Sequence, residues 1–213
     1  MTTKRQVIGV LGCHRSGTSA LTRGMSALSA VIGDDLLPPV EGNNPTGFWE
    51  DRELHVLLQS IQREAGSDWD ELSYGFVANH QYMQHASKQK LLEFFDQRAS
   101  SEYPFVFKNP RATLMLPLLR DVFAELDIAS SYVIAVRDPL STAESLQRRD
   151  NLPIEFGGLL WLKYVTEAVV QTSDANRVFV SFDNYLQHPD AELRRIELGL
   201  DVPGLVLRPS ELQ

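Results

Sequence analysis

The segment Gly12-Cys13-His14-Arg15-Ser16-Gly17-Thr18-Ser19 holds the densest set of residues in the chain that could do chemistry. It follows an apolar run, Val7–Leu11, and opens a stretch with helical character. A strand–turn–helix of this kind turns successive backbone N–H groups and a helix N-terminus toward an anion, which is how such turns hold phosphate. Gly12 and Gly17 are five positions apart, the spacing of a nucleotide-binding P-loop. The residue after Gly17 is Thr18, however, where ATP-hydrolysing loops carry Lys. A basic residue stands inside the loop instead, Arg15, flanked by His14 and followed by the hydroxyls of Ser16, Thr18 and Ser19. This set fits the binding of an anionic ester better than the usual route of ATP hydrolysis.

Positioning such a turn requires a strand before it and a helix after it, and the rest of the chain supplies more of both. Four short apolar runs read as buried strands: Val7–Leu11, Phe105–Phe107, Tyr132–Val136 and Val178–Val180. Helix-like segments cover 19–28, 54–64, 87–98, 114–126, 140–149, 156–170 and 191–198. Strands alternating with helices predict an α/β fold of three layers, a mainly parallel sheet flanked by helices. At 213 residues the chain reads as one domain over 1–213. Two segments interrupt the alternation. Loop 33–49 is rich in Pro and Gly, and loop 66–82 is polar with Trp69, Tyr74 and Phe76 scattered through it. Both are candidate substrate or lid elements.

Composition narrows the function classes. With 20 basic and 28 acidic side chains the net charge is −8, a poor match to nucleic acid or an anionic membrane surface. Cys13 is the only cysteine, which excludes an internal disulfide and a cysteine-based zinc cluster. No apolar run approaches the ~18 residues of a spanning helix. Lys4 and Arg5 precede an apolar stretch too short for a secretion signal, so a cytoplasmic location is expected.

The run Gly12 to Leu21, GCHRSGTSAL, resembles the 5′-phosphosulfate loop of sulfotransferases, which use 3′-phosphoadenosine 5′-phosphosulfate (PAPS) as sulfuryl donor. A second motif fits the same family. The third strand ends Val136-Arg137-Asp138-Pro139, and Ser145 follows eight positions after Arg137. In the resemblance this Arg…Ser pair holds the donor's 3′-phosphate, the group that separates PAPS from ATP. The physical sense is plain: a guanidinium offers a planar fork of donors, and a hydroxyl about two turns into the next helix reaches the same group. Weaker matches are Asn43-Pro45-Gly47-Phe48-Trp49-Glu50, Phe107-Lys108-Asn109-Pro110-Arg111 with Asn109 where relatives carry Asp, and Val178–Leu186 with His188-Pro189 after it. The resemblance spans roughly residues 6–200. It lacks the C-terminal Gly-x-x-Gly-x-x-Lys loop of the cytosolic small-molecule subtype.

The resemblance implies a P-loop NTPase-like sulfotransferase fold and transfer of a sulfuryl group from PAPS to an acceptor hydroxyl, with 3′,5′-ADP (PAP) as product. A nucleotide kinase or NTPase with an altered loop is the alternative. Gly12, His14, Arg15, Ser16, Gly17, Thr18, Ser19, Arg137 and Ser145 are the expected donor-binding residues. Arg15 is expected to stabilise charge on the leaving 5′-phosphate, and Lys108 to contact the transferring sulfonate or the bridging oxygen. Arg111 is expected to cap or pair near the crevice, and Asp138 to be a structural partner. No metal is expected. Glu50 is the first choice of general base, with Asp51, Glu41 and His55 as alternatives. His80, His85 and His188 read as surface residues, and Trp161 as core. Carbohydrate, lipid, phenolic and peptide-tyrosine acceptors all fit the motifs, and the net charge speaks weakly against a highly anionic polysaccharide.

Overall fold

The computed structural model describes residues 4–73 and 85–208. Within them, β1 (Gln6–Leu11), β2 (Phe105–Lys108), β3 (Ala129–Val136) and β4 (Asn176–Ser181) form a parallel sheet in the order β2-β1-β3-β4. All six residues of β1 are buried, as expected of a central parallel strand covered on both faces. The period-two alternation of strand side chains divides the core between those faces. Val7, Phe105 and Phe107 pack against α2 (Arg52–Glu64), α3 (His85–Arg98) and α5 (Leu116–Glu125), through Leu54, Phe95 and Phe123 among others. Ile8, Val10, Val106 and Val133 face the opposite layer, where α1 (Thr18–Met25) and α9 (Pro189–Leu200) contribute Leu21, Met25 and Ile196. Each large side chain fully buried there contributes about 1.5–3 kcal/mol. The three-layer α/β expectation holds.

The remaining helices frame the C-terminal ends of the strands. They are α4 (Pro110–Leu114), α6 (Pro139–Asp150), α7 (Ile154–Gln171) and α8 (Phe182–Gln187). Three departures from the sequence reading have local causes. The helix expected over 114–126 is two helices, because Asn109-Pro110 starts α4 early: the Asn109 side chain accepts from Arg111 N–H, and Pro110 takes the first position, where a missing N–H is harmless. A new start follows at Leu116, with Pro117 in the first turn. The helix expected over 19–28 ends at Met25 and tightens into a 3₁₀ turn, Ser26–Leu28. Helix α8, inside the Val178–Leu186 segment and not among the helices expected from the sequence, starts where the Ser181 hydroxyl caps Asn184 N–H.

Loop 33–49 carries no helix; its backbone makes isolated bridges, Leu36 to Asp51 and Val40 to Asn44. Loop 66–82 is described only as far as Ser73, so Tyr74, Phe76 and His80 lie outside the described residues, as does the side chain of His85. His188 sits exposed between α8 and α9. Among the described residues no helix is long and apolar enough to cross a membrane.

Candidate active site

The C-terminal ends of parallel strands are where open α/β sheets bind ligands, and here they open into a cavity of about 760 Å3. Its floor is the turn after β1. Gly12 has φ 146°, and a Cβ there would stand 2.8 Å from the Ala135 carbonyl oxygen. Thr113 of α4 fixes the same residue by accepting from Gly12 N–H at 3.1 Å. Gly17 has φ 85° and forms the N-cap of α1; a Cβ there would lie 1.9 Å from the ring of Phe182. No side chain caps α1 and no acid occupies its first turn. Its leading N–H groups are therefore left for an anion. Arg15, between the two glycines, also has positive φ (67°), a conformation that costs a non-glycine residue about 1–3 kcal/mol.

Arg15 and Arg137 build one wall. Arg15 Nε donates to Ser145 Oγ at 2.9 Å, and its Nη1 donates to the Asn43 carbonyl at 3.1 Å. Arg137 Nη1 donates to the Arg15 carbonyl at 2.9 Å, and its guanidinium lies 5.2 Å from the Phe182 ring centre. The Trp161 indole donates to the Arg137 carbonyl. Asp138 caps α6 by accepting from Ser141 N–H at 2.7 Å, the structural role expected of it. Arg137 Nε is buried with no partner, as is Ser16 Oγ. Buried polar atoms are rarely left unpaired without a reason. Burial, then the charges of Arg149 and Arg137, lowers the pKa of Arg15. Like-charged guanidiniums gathered so closely favour an anion between them.

Lys108, Glu50, Asn109 and His55 build a second wall. Lys108 Nζ donates to Glu50 Oε1 at 2.6 Å and to the Phe48 carbonyl at 2.9 Å. Asn109 Nδ2 donates to Glu50 Oε2 at 2.8 Å, and His55 Nδ1 lies 3.1 Å from the same oxygen. The amide at position 109 both caps α4 and donates to Glu50, whereas an ionised Asp could only accept. Burial alone would raise the pKa of Glu50, but the Lys108 charge and the hydrogen bonds from His55 and Lys108 outweigh it, and the net shift is downward. Glu50 is thus held as a carboxylate.

His14, Trp69, Arg111 and Arg149 form the third side. Trp69 lies against His14, ring centres 4.5 Å apart, and Arg149 lies 5.0 Å from the Trp69 ring. The Tyr164 hydroxyl donates to the Trp69 carbonyl, tying loop 66–73 to α7. Burial lowers the pKa of His14 well below its usual value, and Arg149, Arg111 and Lys108 add to the effect, so His14 stays neutral. Burial also pushes the Cys13 thiol up to about 12.

His14, Arg15, Gly17, Thr18, Ser19, Glu50, Lys108 and Arg137 line the cavity together; Gly12, Ser16 and Ser145 stand behind its surface. Of the alternative bases, His55 lines the cavity. Asp51 is instead the N-cap of α2, accepting from Leu54 N–H and pairing with Arg98 at 3.3 Å, and Glu41 is exposed on its loop. Sequence reasoning missed Asn44, which donates to Ser19 Oγ, and Phe182 and Arg149; Trp69, named within candidate loop 66–82, lines the cavity. Arg149 had a signal: it lies four positions after Ser145, one turn along the same helix face. Arg111, expected to cap or pair near the crevice, lines the cavity; it is 3.9 Å from Asp68 and its buried Nε has no partner. Among the described residues no group of three or more His, Cys, Asp or Glu is arranged to hold a metal ion.

A family model described as "Sulfotransferase family" matches residues 8–205. The chain belongs to the sulfotransferase family. Among solved structures, it is similar to the sulfotransferase domain from the curacin biosynthetic pathway, with 20% identity, a TM-score of 0.53, and coverage of 98% of this chain and 77% of that one. It is similar also to the sulfotransferase domain from the Synechococcus PCC 7002 olefin synthase, with 18% identity, a TM-score of 0.54, and coverage of 95% and 75%. These likenesses bear on the fold, which the chain shares with sulfotransferase domains. No curated protein matches the sequence.

Proposed function

We propose that the protein transfers a sulfuryl group from PAPS to an acceptor hydroxyl and releases 3′,5′-ADP. The observation that supports this most is the convergence of Arg15 with Arg137 and Ser145, 122 and 130 positions further along the chain, beside an uncapped helix N-terminus. Arg137, with its unpartnered Nε, and Ser145 suit a 3′-phosphate. The N–H groups opening α1, with Arg15, suit the 5′-phosphate. The acceptor oxygen attacks sulfur, the bond from sulfur to the 5′-phosphate oxygen breaks, and that oxygen keeps the electron pair. Lys108 and Arg15 are assigned to the charge that develops there, in the manner of other group transfers dominated by electrostatic stabilisation. The acceptor proton passes to the Glu50–His55 pair. Both Glu50 oxygens are already engaged, so Glu50 is assigned to hold the ring through Nδ1 while His55 Nε2 takes the proton. The kinase alternative loses support from Thr18 at the P-loop lysine position and from the family match.

The test is thermal unfolding with 3′,5′-ADP, with 5′-AMP, and with ATP plus magnesium. A ligand at about 100 times its dissociation constant adds about 2.7 kcal/mol, or roughly 5–10 °C for a chain of this size. The expected result is a rise with 3′,5′-ADP that exceeds the rise with 5′-AMP and is lost in Arg137→Gln. A rise with ATP and magnesium alone refutes the proposal.

A further inference from the structure

We infer that Asn109 is a positioning residue for the proton-accepting pair: its amide keeps Glu50 the only carboxylate beside His55, with the ring hydrogen on Nδ1 and Nε2 free. The inference rests on the sulfuryl-transfer reading, in which His55 Nε2 takes the acceptor proton. Asn109 is wholly buried where β2 passes into α4. The two ends of its amide cannot be exchanged. Pro110 has no N–H, so Arg111 is the first residue of α4 whose N–H needs an acceptor, and Asn109 Oδ1 supplies it at 3.0 Å. Nδ2 is thereby turned the other way, 2.8 Å from Glu50 Oε2 and 3.2 Å from His55 Nδ1.

The placement of the protons follows from these contacts. Lys108 donates to Glu50 Oε1 and Asn109 to Oε2, so the carboxylate is met by a donor on each oxygen. His55 Nδ1 lies 3.1 Å from Oε2. Two bare acceptors that close would repel, so Nδ1 carries the hydrogen and Nε2 keeps its lone pair. Nδ2 and Nδ1 are then two donors converging on one oxygen, which accounts for the short distance between them. An acceptor in place of Nδ2 reverses this logic. A carboxylate at position 109 would stand beside Glu50 as a like charge, and the pair would hold on to a proton. Lys108 already balances Glu50, so the second negative charge would be left for the ring to neutralise, and a protonated ring cannot accept. The other groups around this set do not take over the task. Arg111 extends along α4 toward Asp68, His14 from the turn after β1 is neutral, and Asp51 is engaged with Arg98 of α3.

The test is nitrogen NMR on protein carrying labelled histidine, with the His55 signals assigned by their loss in His55→Gln, with and without saturating 3′,5′-ADP. Wild type at about pH 8 is expected to show a protonated Nδ1 and an unprotonated Nε2. Asn109→Asp and Asn109→Ser both keep an oxygen to cap α4, so neither removes the helix start. Asn109→Asp is expected to move the His55 titration midpoint up by about one unit or more. Asn109→Ser, which adds no charge, is expected to move it less than half as far. A purely structural capping role would leave the midpoint in place in both variants. The inference is overturned if wild type carries the hydrogen on Nε2, if Asn109→Asp leaves the midpoint unchanged or lowers it, or if the serine variant shifts it as far as the aspartate. Should Asn109→Asp fail to fold, the wild-type tautomer still decides. Failure of 3′,5′-ADP to bind wild type would instead refute the donor assignment, since the tautomer is read without it as well.

Discussion

Replacing Lys108 by Met should convert Glu50 from a stabilising to a destabilising group. Both side chains are almost wholly buried, at 2% and 7% exposure, and their contact is 2.6 Å. Removing one member of such a pair leaves an uncompensated charge and costs about 3–5 kcal/mol. At this chain length that is a fall in Tm of roughly 6–20 °C. The pH dependence identifies the cause. In the wild type the pKa of Glu50 is lowered in the fold, so its contribution is present above the unfolded value and is lost as pH falls through the folded one. Without Lys108, burial dominates and the folded pKa rises above the unfolded value of about 4.3. The contribution is then full only below that value and disappears as pH rises. Asn109, which donates to Glu50 Oε2, does not titrate and leaves this pH dependence unchanged. The stability gap between wild type and variant should therefore narrow from pH 8 to pH 5, measured by urea unfolding at fixed ionic strength. Lys108→Met with Glu50→Gln should recover most of the loss at pH 8. A gap independent of pH, or a double variant no better than the single one, would refute the reasoning.

Two further perturbations test the parts that position the site. Gly17→Ala should lower stability by about 1–3 kcal/mol through its left-handed backbone and weaken 3′,5′-ADP binding; adding Phe182→Ala relieves the 1.9 Å collision but not the strain, so only partial recovery is expected on calorimetry. Asp51→Ala should cost about 1–2 kcal/mol as a lost helix cap, whereas Asp51→Asn keeps the cap to Leu54 and should lose less, as denaturant midpoints would show; equal losses would mean that the ion pair with Arg98, not the cap, is what matters.

The turn after β1 was legible because everything that makes it is local: an apolar strand, two glycines at the required spacing and a helix beginning at once. The same holds for Arg137 and Ser145, whose strand end and helix face follow from one short stretch. The pairing of Glu50 with Lys108 was harder to read, since the two are 58 positions apart and Glu50 adjoins a second carboxylate. Nothing in the sequence tells which of Glu50 and Asp51 begins α2. The backbone decides it. Trp49 takes φ 56°, which turns Glu50 inward to Lys108 and leaves Asp51 at the helix cap. Phe182 was illegible for the same kind of reason: it reaches Gly17 only because β4 ends beside the turn and α8 starts there.

The net charge of −8 and a cation-lined cavity are consistent with each other once distance is considered. Surface carboxylates more than about 8 Å away are largely screened at physiological ionic strength. Their sum repels extended polyanions that must lie along the surface, but it has little effect inside the cleft. Within it, Arg15, Arg111, Arg137, Arg149 and Lys108 act at short range and reduced dielectric. A compact anion small enough to enter therefore meets a strongly positive field, while a long polyanion meets a negative one. Burial, with the same local field added to it, keeps His14 neutral rather than adding a further positive charge. The field also makes the cavity's charge a fixed capacity, filled by the first ligand to arrive.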